Sequence, residues 1–218
     1  MTGATFDKDG HLYVTDDENG RVQKFRVDDG QVLNVFGEHG NKAGKMTRPR
    51  GVAIRPDDQK VYVSDFDSNR ISVFLPNGQF FNSFGKKGSG PGKLKSPLGI
   101  AFGPDSKLYV VDSGNNRIVV FSPDGEYLSS FGSKPNGVDL NQPWGITVTA
   151  EGYVIVTERQ ANCVSIFLDT GEFILQFGDK GTGELGFDQP CGVVASEGKV
   201  YVADAINARI QAFTYIHT

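Results

Sequence analysis

Five segments of this chain repeat one another: HLYVTDDENGRVQKF, KVYVSDFDSNRISVF, KLYVVDSGNNRIVVF, GYVIVTERQANCVSIF and KVYVADAINARIQAF, spaced 46 to 49 residues apart. A unit of that length cannot bury its apolar faces alone. It must stack on its neighbours, as the units of propellers and solenoids do.

The register is set by the acid after each YVx core: Asp16, Asp65, Asp112, Glu158 and Asp204. Five residues later stand Arg21, Arg70, Arg117, Cys163 and Arg209, and nine later Phe25, Phe74, Phe121, Phe167 and Phe213. A Phe-Gly pair closes four units (Phe36-Gly37, Phe84-Gly85, Phe131-Gly132, Phe177-Gly178), and a Pro-x-Gly opens four (from Pro49, Pro97, Pro143 and Pro190). The first unit keeps only Gly3 of the opening, and the fifth has no closing Phe-Gly.

The second unit shows four predicted strands best: Gly51–Arg55, Lys60–Asp65, Arg70–Phe74 and Gln79–Phe84, with turns at 56–58 and 76–78. Its VYV and ISVF cores are β-branched or aromatic on both faces, as expected of a sheet sandwiched between sheets. The 28 Gly and 10 Pro stand at turn positions throughout, which separates the chain from a low-complexity segment.

The Pro-x-Gly-Val-Ala, YVxD, N-x-R-I and FG pattern resembles NHL-repeat β-propellers over essentially all 218 residues. The expected fold is therefore all-β: a propeller of four-stranded blades in one domain, with blades at approximately 1–37, 49–85, 97–132, 143–178 and 190–218. NHL propellers usually have six blades, so five starts and a missing last strand imply a fragment of a six-bladed ring or an unusual five-bladed one. An open ring would leave the strand near Arg209–Tyr215 as an apolar edge able to self-associate. Blade four departs most, with Glu158, Arg159 and Cys163 where the others carry Asp, a variable residue and Arg.

Strand alternation sorts the loops. Those joining strands two to three, and the connections between blades, share a face called the top, and the other hairpins form an acid-rich bottom. The Asp and Arg five apart flank a four-residue hairpin and read as joinery at the rim of the sheet. The connection after blade one carries Glu38, Lys42, Lys45, Arg48 and Arg50, and that after blade two carries Lys86, Lys87, Lys93 and Lys95, making a basic sector on a chain of net charge −4. Later connections do not continue it, Lys134 being offset by Asp139. Such a sector beside Trp144 has the means to hold a phosphate backbone and stack a base. The x of Pro-x-Gly is the sharper signal: Arg50, Leu98, Trp144 and Cys191 differ in chemistry inside a fixed frame, the manner in which a scaffold presents a binding surface.

The resemblance to the C-terminal propellers of TRIM-NHL proteins implies a non-catalytic recognition module that binds a protein or RNA partner on its top face. In that family ubiquitin-ligase activity and zinc belong to a separate RING domain, and this sequence contains none. The candidate contact residues are Lys42, Lys45, Arg48, Arg50, Lys86, Lys87, Lys93, Lys95, Leu98, Trp144 and Arg159. An extracellular or bacterial sensor domain is the alternative. Peptide-amidating lyases also resemble NHL propellers and hold zinc on the axis with histidines, but His11, His39 and His217 occupy three different repeat phases. Neither cofactor nor metal is expected. No apolar run is long enough to span a membrane, and two cysteines with no Asn-x-Ser/Thr sequon point to a reducing compartment, the cytoplasm.

Overall fold

The computed structural model describes residues 3–133 and 138–214; Lys134, His217 and Tyr215 lie outside them. Blade one comprises β1 (Ala4–Phe6), β2 (Leu12–Asp16), β3 (Arg21–Phe25) and β4 (Val32–Phe36). Blade two comprises β5 (Pro49–Ile54), β6 (Val61–Asp65), β7 (Arg70–Phe74) and β8 (Phe80–Phe84). Blade three has β9 (Pro97–Phe102), β10 (Leu108–Asp112), β11 (Arg117–Phe121) and β12 (Tyr127–Phe131). Blade four has β13 (Pro143–Val148), β14 (Val154–Glu158), β15 (Cys163–Phe167) and β16 (Phe173–Phe177). A short parallel pair, β17 (Asp179–Lys180) and β18 (Gly186–Phe187), sits in the next connection. Among the described residues blade five has three strands: β19 (Pro190–Ser196), β20 (Lys199–Asp204) and β21 (Arg209–Thr214).

Every blade is an antiparallel meander in sequence order, and first strands pack on first strands around a common axis. The chain is thus an all-β, five-bladed propeller arrangement whose first strand is innermost. In blade two the first strand starts two residues earlier than the sequence pattern predicts. Its pairing shifts between Pro49 and Val52, so the Pro-x-Gly joins the sheet through an irregularity that simple alternation does not register.

Four apolar cores hold the blades together, one at each junction from blade one–two to blade four–five. Strands β6, β10 and β14 are buried at every position. A hydroxyl stitches three junctions near the axis: Thr15, Ser64 and Thr157 each accept the N–H of their own blade's glycine (Gly3, Gly51, Gly145) and donate to a carbonyl of the next blade (Arg50, Leu98, Cys191). This stitch explains the glycine. A Cβ at Gly3, Gly51 or Gly145 would collide with that same carbonyl, and one at Gly99 would stand 2.8 Å from the Trp144 carbonyl.

The acid and arginine five residues apart form a clasp. Arg117 Nε donates to Asp112 Oδ2 at 2.7 Å, while its Nη2 donates to the carbonyls of Gly90 and Lys93 in the arriving connection. Asp112 in turn accepts the Lys95 N–H at 2.6 Å. Arg70 and Arg209 donate to arriving carbonyls in the same way, and Asp65 and Asp204 accept arriving N–H groups. The pair is therefore joinery, as its spacing suggests. In blade four Glu158 accepts the Asn141 N–H, and Ser165 and Gln176 take the place of the missing arginine.

Each connection also carries an apolar plug. Met46, Leu94, Leu140 and Phe187 are at most 1% exposed and sit beneath Gly37, Gly85, Gly132 and Gly178, whose φ values of 81° to 93° place them in the left-handed region. The Phe-Gly motif is where the chain turns over its plug.

Candidate functional site at the top of the axis

The first strands enclose an axial pocket of about 190 Å³ lined by Gly3, Arg50, Gly51, Leu98, Gly99, Trp144, Gly145, Cys191 and Gly192, among others. The Pro-x-Gly motif places its variable residue at this mouth because the backbone on either side of x is committed. The x carbonyls of Arg50, Leu98 and Cys191 accept the stitching hydroxyls, so these backbones are fixed whatever side chain they carry.

Two polar and aromatic groupings form there. Arg50 Nη1 lies 3.1 Å from Asp17 Oδ2, with both side chains mostly buried, and its guanidinium stands 5.7 Å from the Phe66 ring centre. Arg159 lies over the Trp144 indole at 4.5 Å, held by two donations to Gln189 Oε1 at 3.0 and 2.6 Å. A guanidinium fixed over an aromatic face is a preorganised cation–π pair, here at the edge of the pocket. Leu98 lines the pocket and is only 3% exposed, and Phe66 packs against the same apolar core.

Of the residues singled out in sequence, Arg50, Leu98, Trp144 and Arg159 converge on this mouth. Of the basic connections only Arg50 lines the pocket, and Arg48 stands over the same Phe66 ring. Lys45 is paired with Glu38 at 2.6 Å, Arg48 is 4.0 Å from Asp67 and near Phe66, and Lys42 is exposed while its carbonyl serves the Arg70 clasp. Lys86, Lys87, Lys93 and Lys95 are all exposed along one connection.

Asp17, Phe66 and Gln189 belong to the site and were not singled out in sequence. Asp17, Phe66, Ser113, Arg159 and Ala205 all follow the strand-two acid, so one repeat position supplies the second half of the mouth. Its variation from blade to blade is the same signal that marked the x position.

Burial pushes the Cys191 thiol up, opposed by the Gly192 N–H and by Arg159. Burial and the neighbouring Glu158 carboxylate push Cys163 up further. Both cysteines are buried and unpaired. Among the described residues no histidine lines the pocket. His39 is exposed on the first connection, and His11 lies on the bottom beside Asp7 at 3.1 Å. That Asp7–Asp9–His11 grouping is the one metal-ligating cluster among the described residues, but Lys24 Nζ already sits 2.8 Å from the Asp7 carboxylate.

Repeated stitches, clasps and plugs around an axis, with a variable mouth on top, define a β-propeller with NHL-type repeats. Comparisons with known proteins agree. An NHL repeat model matches residues 2–25, and a family described as 6-bladed beta-propeller matches residues 50–130. No curated protein matches.

Among solved structures, a catalytically inactive virginiamycin B lyase from Staphylococcus aureus with quinupristin is 17% identical, with 98% of this chain covering 69% of that one at a TM-score of 0.71. A streptogramin B lyase is 15% identical, 100% of this chain covering 83% of it at 0.64. A chain of a nidogen/laminin complex is 18% identical, 98% covering 75% at 0.78. Identities this low establish a shared fold. Among the described residues no helix is long and apolar enough to cross a membrane.

Proposed function

We propose that this propeller is a non-catalytic recognition module that binds a protein partner at the top of its axis. The observation that carries the reading is the mouth itself: a stitched backbone displays Arg50 beside Asp17, and Arg159, held by Gln189, lies over Trp144, around an open pocket. Tryptophan and arginine held in place dominate protein interfaces, because little ordering is needed on binding. The similar folds include a chain from a protein complex, which supports this direction. They also include lyases; among the described residues no histidine lines this pocket and burial pushes its Cys191 thiol up, which favours the binding reading over a catalytic one. The TRIM-NHL resemblance extends the proposal to substrate recognition for a ubiquitin ligase whose catalytic domain is separate.

A peptide display library panned on the propeller tests the reading. Enriched peptides are expected to bind Trp144→Ala and Arg159→Ala at least about tenfold more weakly, with melting temperatures unchanged. Peptides that bind both variants as they bind the parent would refute it. RNA is the second reading, carried by the exposed Lys86, Lys87, Lys93 and Lys95. Single-stranded RNA binding that falls steeply with salt and disappears when all four become Ala would favour it over a protein partner.

A further inference from the structure

The clasp arginines and the arginine of the mouth are held by different chemistry. Arg21, Arg70, Arg117 and Arg209 each stand 2.7 to 3.7 Å from a carboxylate of their own blade, which commits their charge to the joinery. Arg159 is held by an amide instead. Its Nε and Nη2 both donate to Gln189 Oε1, at 3.0 and 2.6 Å. The neighbouring Glu158 carboxylate is buried in the interior, where it accepts from the Asn141 N–H, Ser165 and Gln176. Gln189 and the Trp144 indole, 4.5 Å away, thus fix the plane of the Arg159 guanidinium without neutralising it, and leave the Nη1 end of the fork for another acceptor.

The pocket beside it has the same polarity. Arg50 and Cys191 are its titratable lining groups, and among the described residues no carboxylate lines it. Burial pushes the Cys191 thiol up and keeps it uncharged, so the formal charge on this wall is positive. Arg50 shows what such a charge accepts here. Asp17 Oδ2 lies 3.1 Å from its Nη1, with the two side chains 14% and 19% exposed. The rest of the lining is glycine backbone and aliphatic carbon, including Val52, Leu98 and Ile146, and its volume of about 190 Å³ suits a side chain rather than a folded element.

We infer that the mouth selects an acidic segment of its partner, seating one aspartate or glutamate side chain on the Arg159 fork at the rim of the axial pocket. This rests on the reading of the mouth as a protein-binding site and adds the chemistry of what binds. A carboxylate accepts two parallel N–H donations from a guanidinium, and such charge-assisted bonds are roughly twice as strong as neutral ones. The methylene stem of the acid finds apolar wall and indole beside that fork. A phosphate backbone is the poorer match, because Lys86, Lys87, Lys93 and Lys95 do not line the pocket.

The test pans short random peptides on the 218-residue chain, each fused through its C-terminus so that no terminal carboxylate is present. Enrichment of Asp or Glu at one position is expected. A tryptophan-free, amidated synthetic peptide carrying that residue should bind at least about tenfold more tightly than its Asn or Gln counterpart. The change in fluorescence of Trp144, the single tryptophan, reads both. Arg159→Gln should remove most of that difference at an unchanged melting temperature. Asp17→Asn, which takes away the competing carboxylate, should tighten the acidic peptide alone. An acid preference that survives intact in Arg159→Gln overturns the inference. Enriched peptides that contain no acid, yet lose binding in Trp144→Ala, overturn it and leave the protein-partner reading standing. Peptides indifferent to both Trp144 and Arg159, or no enrichment at all, overturn the two together. Capture of a single-stranded oligouridylate that is lost in Trp144→Ala, with acidic peptides unbound, overturns it in favour of RNA. The comparison of acid with amide needs only the parent chain, so a variant that fails to fold leaves the question decidable.

Discussion

Arg117→Ala is the sharpest probe of what holds the blades in register. Asp112 is 0% exposed and the Arg117 side chain 11%, so removing the guanidinium strands a carboxylate in the interior. Asp112 keeps only the Lys95 N–H and the Asn115 amide, and the carbonyls of Gly90 and Lys93 lose their donor. Breaking a buried pair in this way costs about 3–5 kcal/mol. For a domain of this size that is a drop of roughly 6 to 20 °C in melting temperature. Arg21→Ala is the internal control, since the same pair in blade one is 38% and 20% exposed and clasps nothing beyond its blade. Its cost should be about 1 kcal/mol or less. Thermal melts followed by circular dichroism and by Trp144 fluorescence would read both, and hydrogen exchange at Lys95 should quicken only in Arg117→Ala. Equal losses in the two variants, or a loss below about 1 kcal/mol for Arg117→Ala, would refute the clasp as the source of stability.

Three further outcomes are expected. Thr157→Val removes the hydroxyl that joins the Gly145 N–H to the Cys191 carbonyl and should cost about 1–3 kcal/mol, whereas Val111→Thr installs the missing stitch of blade three and should be neutral or stabilising; urea unfolding checks both. Gly145→Ala sets a Cβ against the Cys191 carbonyl, which is backbone and cannot step aside, and should lower the urea midpoint by the equivalent of about 1–3 kcal/mol. Burial pushes the Asp7 carboxyl up, but Lys24 and His11 outweigh it and hold the group at about 2, below its ordinary 3.8. The stability this lends is present above pH 4 and lost as pH falls toward 2, so Lys24→Met should flatten the decline in unfolding free energy across that window.

Much of the fold was legible because strand alternation and repeat phase are local signals. YVxD followed five residues later by Arg names both halves of the clasp from the sequence alone. The clasp's target is not legible: nothing in the spacing shows that Arg117 reaches back to Gly90, since that contact depends on how far the connection folds over the blade. The plugs were missed for the same reason. Met46, Leu94, Leu140 and Phe187 stand in mostly polar loops, the last two with Val138 and Leu185 nearby, and Met46 and Leu94 are held by parallel bridges to His39 and Lys87. At the site, the variable x position led to Arg50, Leu98 and Trp144. Charge counting led to lysines that stand apart from the pocket, because net charge along a connection carries no information about direction from the axis.

The stitches also explain why the mouth can vary while the ring does not. At Arg50, Leu98 and Cys191 one residue performs two separable tasks: its carbonyl accepts the neighbouring hydroxyl, and its side chain borders the pocket. Substituting the side chain therefore alters recognition and leaves the junction intact, while substituting Thr15, Ser64 or Thr157 weakens the junction and leaves the mouth's chemistry unchanged. Blade five fits this division. Its Cys191 is stitched to blade four and Arg209 grips three carbonyls of the arriving connection, so the half of the blade that faces inward along the chain is complete. Its opposite face carries Ala203 where blades one, two and four carry a hydroxyl, and Ile210 is exposed there.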